Sequence, residues 1–262
     1  MGNMFDALPS PIWVLGTGTD VGKTWVSARI AEAWLKEGPV TYRKPFQCGV
    51  ADDDDPASDL SALRKTGARV ESFASFLAPL SPMAAARAEG RELDLAAAFQ
   101  WCKRPGDGRL LLEGVGGVMV PLSKEVHFLA WASELRIPCV LVARGGLGTL
   151  NHTLLSCEAL MLRGWRIERV FLNPGLDQSF EAAQENAEIL RKFLPLRVEI
   201  LDAEFHHQPT RPVTSTSDLA MADGQLPIVD SRTQTPGETQ SKIENRKSKI
   251  FPEQPGISSS RD

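Results

Sequence analysis

The chain has 262 residues, 42% hydrophobic and 24% charged, with a formal net charge of −4. That balance fits one globular domain with a full core and gives nucleic-acid binding no footing as the main task. No run approaches the roughly 20 apolar residues of a membrane span, and residues 1–11 lack the basic start and apolar stretch of a secretory signal.

These exclusions set the expectation of a cytoplasmic protein with neither a membrane nor a nucleic acid as partner. Asp6 breaks the myristoylation pattern that Gly2 would otherwise begin. Cys48, Cys102, Cys139 and Cys157 are scattered, with no C-x-x-C pair, and read as free thiols.

In chain order, the apolar run 12–15 predicts a buried strand, and residues 23–36 an amphipathic helix. Between them lies Gly16-Thr17-Gly18-Thr19-Asp20-Val21-Gly22-Lys23-Thr24, a phosphate-binding P-loop in its expected setting. Its glycines let backbone N–H groups fold around an anion, and the helix start aims its positive end at the same place. Lys23 is a point charge for β- and γ-phosphates, and the Thr24 hydroxyl is a hard oxygen ligand for Mg²⁺. Thr17 stands where the first glycine of the common pattern falls, and the glycine comes one residue earlier. A carboxylate at Asp20, inside the loop, would repel phosphates unless a cation compensates it. A positively charged substrate group is one source of compensation; exposure to solvent or a pairing lysine is the alternative.

Residues 40–43 predict the second strand, which Pro45 is expected to stop so that Lys44 stands at its tip. A lysine there would stabilise charge developing during phosphoryl transfer; an ordinary surface lysine is the bland reading. Gly49 allows a tight return. The run Asp52-Asp53-Asp54-Asp55 reads as a solvated loop. Asp59 begins a helix over 58–65, either as a Mg²⁺ ligand or as a helix N-terminal acid. Further helices are predicted over 82–89 and 93–102. The strand 109–112 ends in Glu113, an acid placed to hold Mg²⁺, and the glycines behind it, Gly114, Gly116 and Gly117, admit close approach of a substrate.

A helix over 128–135 and a strand over 138–143 follow. Leu147-Gly148-Thr149-Leu150-Asn151-His152 opens the helix 150–163, whose free N–H groups suit a carboxylate or phosphate. His152 reads as structural. Asn173, behind the strand 169–172, is either a purine reader or the cap of the next turn. A helix over 180–193 and a strand over 197–201 complete the pattern. Strands alternating with helices mean an α/β fold of the P-loop NTPase type: a mostly parallel sheet covered by helices on both faces. Ligands bind at the carboxyl edge of such a sheet, where Gly16, Lys44, Glu113 and Asn173 all fall. The domain is expected to span 1–208. Residues 209–262, rich in Pro, Ser, Thr, Gln and Asp, read as a disordered tail.

Taken together, these segments resemble dethiobiotin synthetase. The matching pieces are the loop 16–24, Lys-Pro-x-x-x-Gly at 44–49, Ser-Asp at 58–59, Glu-Gly-x-Gly-Gly at 113–117, Pro-Leu-Ser at 121–123, Leu-Gly-x-x-Asn-His at 147–152 and Asn173. The resemblance implies ATP- and Mg²⁺-dependent carboxylation of diaminopelargonic acid with CO₂, followed by ring closure, by a homodimer with shared sites. It implies Lys23 and Lys44 as catalytic residues and Thr24, Asp59 and Glu113 as metal ligands. ATP would meet Gly18, Thr19, Asp20, Val21, Gly22, Lys23, Thr24, Glu113 and Asn173. The acceptor would meet Asp20, Lys44, Cys48, Gly116 and Gly117, with Gly148, Thr149, Leu150 and Asn151 supplied by the neighbouring subunit. Met83 stands where the family usually has His, and residues 200–205 replace its Gly-x-Ile-Pro-x-Leu stretch. A cobyrinate-amidotransferase-like synthetase is the enzyme alternative, although no glutaminase arrangement follows residue 200. A nucleotide-binding switch is the non-catalytic one.

Overall fold

The strands divide their side chains between two cores, and this division sets the layers. In β1 (Ile12–Gly16), Ile12 and Val14 face one cluster while Trp13 and Leu15 face the other. β5 (Cys139–Arg144) repeats the split, with Val140 and Val142 on the first side and Cys139, Leu141 and Ala143 on the second. Strands buried on both faces read as continuous apolar runs, and such runs require helices above and below.

The computed structural model describes residues 4–56, 58–175 and 180–201. One unit spans Met1–Thr210; the other, Arg211–Asp262, lies outside the described residues, and with it the expected disordered tail 209–262. Seven strands form one sheet in the order β3-β2-β4-β1-β5-β6-β7, with every pairing parallel. The others are β2 (Val40–Cys48), β3 (Arg69–Phe76), β4 (Arg109–Glu113), β6 (Ile167–Asn173) and β7 (Val198–Ile200). On one face lie α1 (Lys23–Trp34) and α2 (Asp59–Arg64), with Phe5 and Leu8 of the N-terminal segment. α4 (Leu95–Lys103), α5 (Phe128–Ser133), α6 (Thr149–Leu162) and α7 (Phe180–Phe193) cover the other, and α3 (Pro82–Ala88) packs near β3 through Ala85, Ala86 and Phe76. This is the three-layer P-loop architecture the pattern predicts.

Three expectations are corrected. β3 is a strand the alternation did not reveal: most of its residues are only half-buried, because it forms the sheet edge. Pro45 does not stop β2, which runs on to Cys48. β4 pairs with β2 only over Val40–Arg43, so beyond Arg43 that side has no ladder and a missing N–H costs nothing there. Lys44 therefore sits inside a strand, 7% exposed, rather than at a tip. The acidic run is also not wholly solvated: the Asp53 carboxylate accepts hydrogen bonds from Ser72 Oγ at 2.8 and 2.9 Å and from Ser75 Oγ, closing the loop over the sheet edge.

Candidate active site

The P-loop holds its shape through close packing that only glycine permits. A Cβ on Gly16 would lie 2.9 Å from Val21 Cγ2 and 3.0 Å from both Gly18 O and Lys23 Cδ. Gly22, the residue before α1, has φ 103° and provides no side-chain cap, so no side chain closes the start of that helix. Asp20 adopts φ 55°, a left-handed conformation that a non-glycine residue reaches only at a cost. Its carboxylate is exposed and makes no ion pair among the described residues.

Behind the loop, five polar side chains converge. Glu113, at the end of β4, is fully buried; its Oε2 accepts from Ser27 Oγ at 2.7 Å and its Oε1 from Lys44 Nζ at 2.7 Å. Thr24 Oγ1 reaches Asp59 Oδ1 at 2.7 Å and Glu113 Oε1 at 3.2 Å. Lys44 also pairs with Asp59 Oδ2. Lys23 crosses the loop, donating to Gly18 O at 2.9 Å and Gly116 O at 3.0 Å. The glycine loop after β4 docks directly on the P-loop: Gly117 bridges Thr17, and a Cβ on Gly116 would meet Thr19 Oγ1 at 3.0 Å.

The two lysines feel opposite fields. Burial, and then the charge of Lys44, lower Lys23 from 10.5 to about 8. Burial also pulls Lys44 down, but Asp59 and Glu113 together outweigh it and hold its ammonium above the usual lysine range. Burial alone would raise Asp59; Lys44, through charge and hydrogen bond, keeps it ionised and below its ordinary value. Among the described residues no three His, Cys, Asp or Glu side chains converge as a metal cage. Two carboxylates and a hydroxyl are nonetheless the sparse, hard-oxygen set that Mg²⁺ uses beside phosphates and water. That both carboxylates already bind one cationic group shows that the spot favours positive charge, so the residues fit the ion.

A cleft of about 510 Å³ opens beside the P-loop, between Thr17–Thr19, Met119–Pro121 and the His152, Leu155 and Ser156 side of α6. α6 starts after Gly148, at φ 87°, again with no side-chain cap.

A family model described as an AAA domain (AAA_26) matches residues 11–203. An ATP-dependent dethiobiotin synthetase BioD from Methylobacterium nodulans is 40% identical over 169 residues, covering 58% of this chain and 75% of that relative. The enzyme of the same name from Paramagnetospirillum magneticum is 40% identical over 163 residues, covering 62% and 75%. The chain belongs to the dethiobiotin synthetase family. It is thus a ligase by kinship. The crystal structure of hydrogenase maturation factor HypB from Archaeoglobus fulgidus is a remote likeness, at 14% identity and a TM-score of 0.43, covering 73% of this chain and 80% of that one.

Of the residues that dethiobiotin synthetase motifs single out here, Lys23, Thr24, Lys44, Asp59, Glu113 and Gly116 meet in one cluster. Gly18, Thr19, Asp20, Val21 and Gly22 form the loop above it. Cys48 is half-buried against Phe76, Ala85 and Ala86, and burial pushes its thiol up to about 11 against the opposing charge of Lys44. Asn173 donates Nδ2 to Val21 O at 3.0 Å and accepts from Gly175 N at 3.1 Å, so it caps its turn and ties β6 to the P-loop. Thr149 turns inward and shares a 3.2 Å hydrogen bond with Thr153, while Asn151 and His152 are exposed. Sequence reasoning missed Ser27, the buried donor to Glu113, although it lies one turn after Thr24 on the same helix. Arg43 was also missed. Arg43 is 4% exposed; its guanidinium pairs with Glu71 at 2.8 Å and binds Trp101 O in the last turn of α4 at 3.4 Å and Pro105 O just beyond it at 3.2 Å. It anchors β2 beside Lys44. The four cysteines are free, and among the described residues no helix is long and apolar enough to cross a membrane.

Proposed function

We propose that this ATP-dependent ligase of biotin synthesis carboxylates 7,8-diaminononanoate (diaminopelargonic acid) with CO₂ and closes the ureido ring of dethiobiotin, releasing ADP and phosphate. The observation that carries this reading is the convergence of Lys23, Lys44, Asp59 and Glu113 beneath a P-loop on which the Glu-Gly-Val-Gly-Gly loop docks. One amine takes up CO₂ as a carbamate. A carbamate oxygen then attacks the ATP γ-phosphorus, and the bond from that phosphorus to the ADP oxygen breaks. The second amine attacks the resulting acyl phosphate carbon, loses its proton, and phosphate leaves.

The chain's own groups suit each part. The N–H groups of the P-loop and the Lys23 ammonium bind the β- and γ-phosphates. Lys44 stabilises the transferring phosphoryl group and the carbamate. Thr24, Asp59 and Glu113 would hold Mg²⁺, which when bound neutralises phosphate charge. The exposed Asp20 carboxylate faces the amine side of the acceptor, with Cys48, Gly116 and Gly117 lining its wall. Asn173, held against Val21, reads the purine with its remaining amide valences. The acceptor carboxylate meets the open helix start at Gly148, Thr149, Leu150 and Asn151 of a second copy, in a homodimer. Leu147, Met119 and Leu155, all more than half exposed, surround that helix start and the cleft beside it, and support such an interface. The protein so described works in the cytoplasm, on small molecules.

Mass detection of dethiobiotin from protein, ATP, Mg²⁺, bicarbonate and the diamine, beside a Lys44→Ala control, tests the reaction. Product from the wild type alone is expected. ATP binding without product in either form would overturn the assignment of the acceptor.

A further inference from the structure

The oxygens offered to a cation are few, and one side chain already uses them. Glu113 is fully buried, and its Oε2 belongs to Ser27 at 2.7 Å. Its Oε1 is left, and that atom binds Lys44 Nζ at 2.7 Å and Thr24 Oγ1 at 3.2 Å. Asp59 repeats the division, with Oδ1 to Thr24 at 2.7 Å and Oδ2 to Lys44. A divalent cation ligated by Thr24, Asp59 and Glu113 would occupy the place of the Lys44 ammonium, and like charges cannot share it.

Resting on the metal site read above, we propose that Lys44 and the divalent cation compete for the Asp59–Glu113 pair, and that nucleotide phosphates decide the competition by receiving the displaced lysine. Among the described residues, Asp59 and Glu113 are the acidic groups that pair with Lys44. In the loops above, Gly18 O and Gly116 O are engaged by Lys23. A cation arriving alone must therefore strip a buried lysine of its partners and give it nothing in return, a severe cost for a charge that is 7% exposed. With phosphates in the P-loop, the same lysine turns to a new anion a short swing away. Metal and nucleotide then bind as a coupled pair, and Lys44 reaches the phosphoryl group when the cation has taken its place. The device is a specific addition to ordinary metal–phosphate synergy, because its source is a side chain that can be removed.

The experiment counts free Mn²⁺ by electron paramagnetic resonance in titrations of metal-free full-length protein, as wild type and as Lys44→Met, with and without a non-hydrolysable ATP analogue. Without nucleotide, Lys44→Met is expected to bind Mn²⁺ at least about tenfold more tightly than the wild type, within the usual range of site-to-site coupling of roughly 5–150-fold. The factor by which nucleotide tightens Mn²⁺ is expected to fall in the variant, and by linkage the factor by which Mn²⁺ tightens nucleotide falls equally. Should Lys44→Met fold poorly, Lys44→Gln replaces it, since the amide also lacks the charge. Equal Mn²⁺ affinity in wild type and variant without nucleotide overturns the competition and leaves the metal site standing. Mn²⁺ that binds neither form even with nucleotide overturns the metal site itself, and the proposal with it.

Discussion

α1 and α6 open with the same backbone turn and are surrounded by different chemistry. Gly22 and Gly148 both adopt left-handed φ values, 103° and 87°, and neither helix has a side-chain cap. Each therefore leaves its start open to an anion on the side-chain side, although at α6 Thr149 N already donates to Gly146 O at 3.1 Å. At α1 the start is backed by two buried lysines and their carboxylates. At α6 it stands beside Leu147, fully exposed, and the half-buried Leu150. The backbone supplies only a preference for negative charge; the side chains decide how much charge and on what kind of molecule. A polyphosphate suits the first start, and a single carboxylate on an alkyl chain suits the second.

The largest effect expected is at Lys23. Lys23→Ala should lower kcat by about 10²–10³, by analogy with removal of one oxyanion-stabilising donor; steady-state turnover near wild type would remove the P-loop lysine from the chemistry. Lys23→Met carries a second readout. The folded-state value of about 8 lies below the ordinary 10.5, so the folded protein holds its charged lysine at a cost below pH 8. That cost, on the order of 3 kcal/mol, is relieved as pH rises from about 8 to 10.5. Denaturant melts should show the wild type gaining stability across that window, and Lys23→Met lacking the gain.

Gly22→Ala and Gly148→Ala act on the two helix starts separately. Each forces a Cβ into a left-handed conformation, at roughly 1–2 kcal/mol, and a Cβ at Gly148 would meet only His152 Cε1, at an ordinary contact distance of 3.9 Å, so strain alone acts there. Gly22→Ala should weaken nucleotide binding. Gly148→Ala should raise KM for the diamine and leave KM for ATP within about twofold, a change below ~0.5 kcal/mol. Loss of ATP affinity in both variants would make the two helix starts one site and dissolve the contrast.

How far the sequence reveals these two regions follows from how local each feature is. Lys23, Thr24 and Asp59 sit in short motifs whose geometry is fixed within a few residues, and the structure brings them together as their types require. Glu113 is legible as the acid that ends an apolar strand. Ser27 and Arg43 are not, because what makes them matter is a register between distant strands and helices: Ser27 meets a residue 86 positions away, and Arg43 the end of α4. β3 was hidden for the same reason, since Arg69-Val70-Glu71-Ser72 looks like a polar loop until β2 pairs with it. The role of Ser27 gives a smaller prediction. Ser27→Ala deprives a fully buried carboxylate oxygen of its donor and should cost about 1–3 kcal/mol of folding stability in chemical denaturation. A neutral result would mean that Glu113 finds another donor.

α5 sharpens the contrast from the other side, because its start is closed. His127 Nδ1 accepts from Ala130 N at 3.1 Å, filling the place that α1 and α6 leave open for an anion, and its Nε2 lies 3.3 Å from Arg163. Burial first, and then the Arg163 charge, lower the imidazole below 6.5. A lowered folded-state value means that the capped, neutral form contributes stability above pH 6.5, and that this contribution is lost as pH falls through the folded value. Protonation of Nδ1 also removes the acceptor that makes the cap. His127→Asn keeps a side-chain acceptor at every pH, so the difference in Tm between wild type and variant should shift in the variant's favour from pH 7 to pH 5. The shift is bounded by the worth of one helix cap, about 0.5–2 kcal/mol. A difference that stays constant over that range would show that the cap survives protonation, and with it that a closed helix start does not depend on a neutral acceptor.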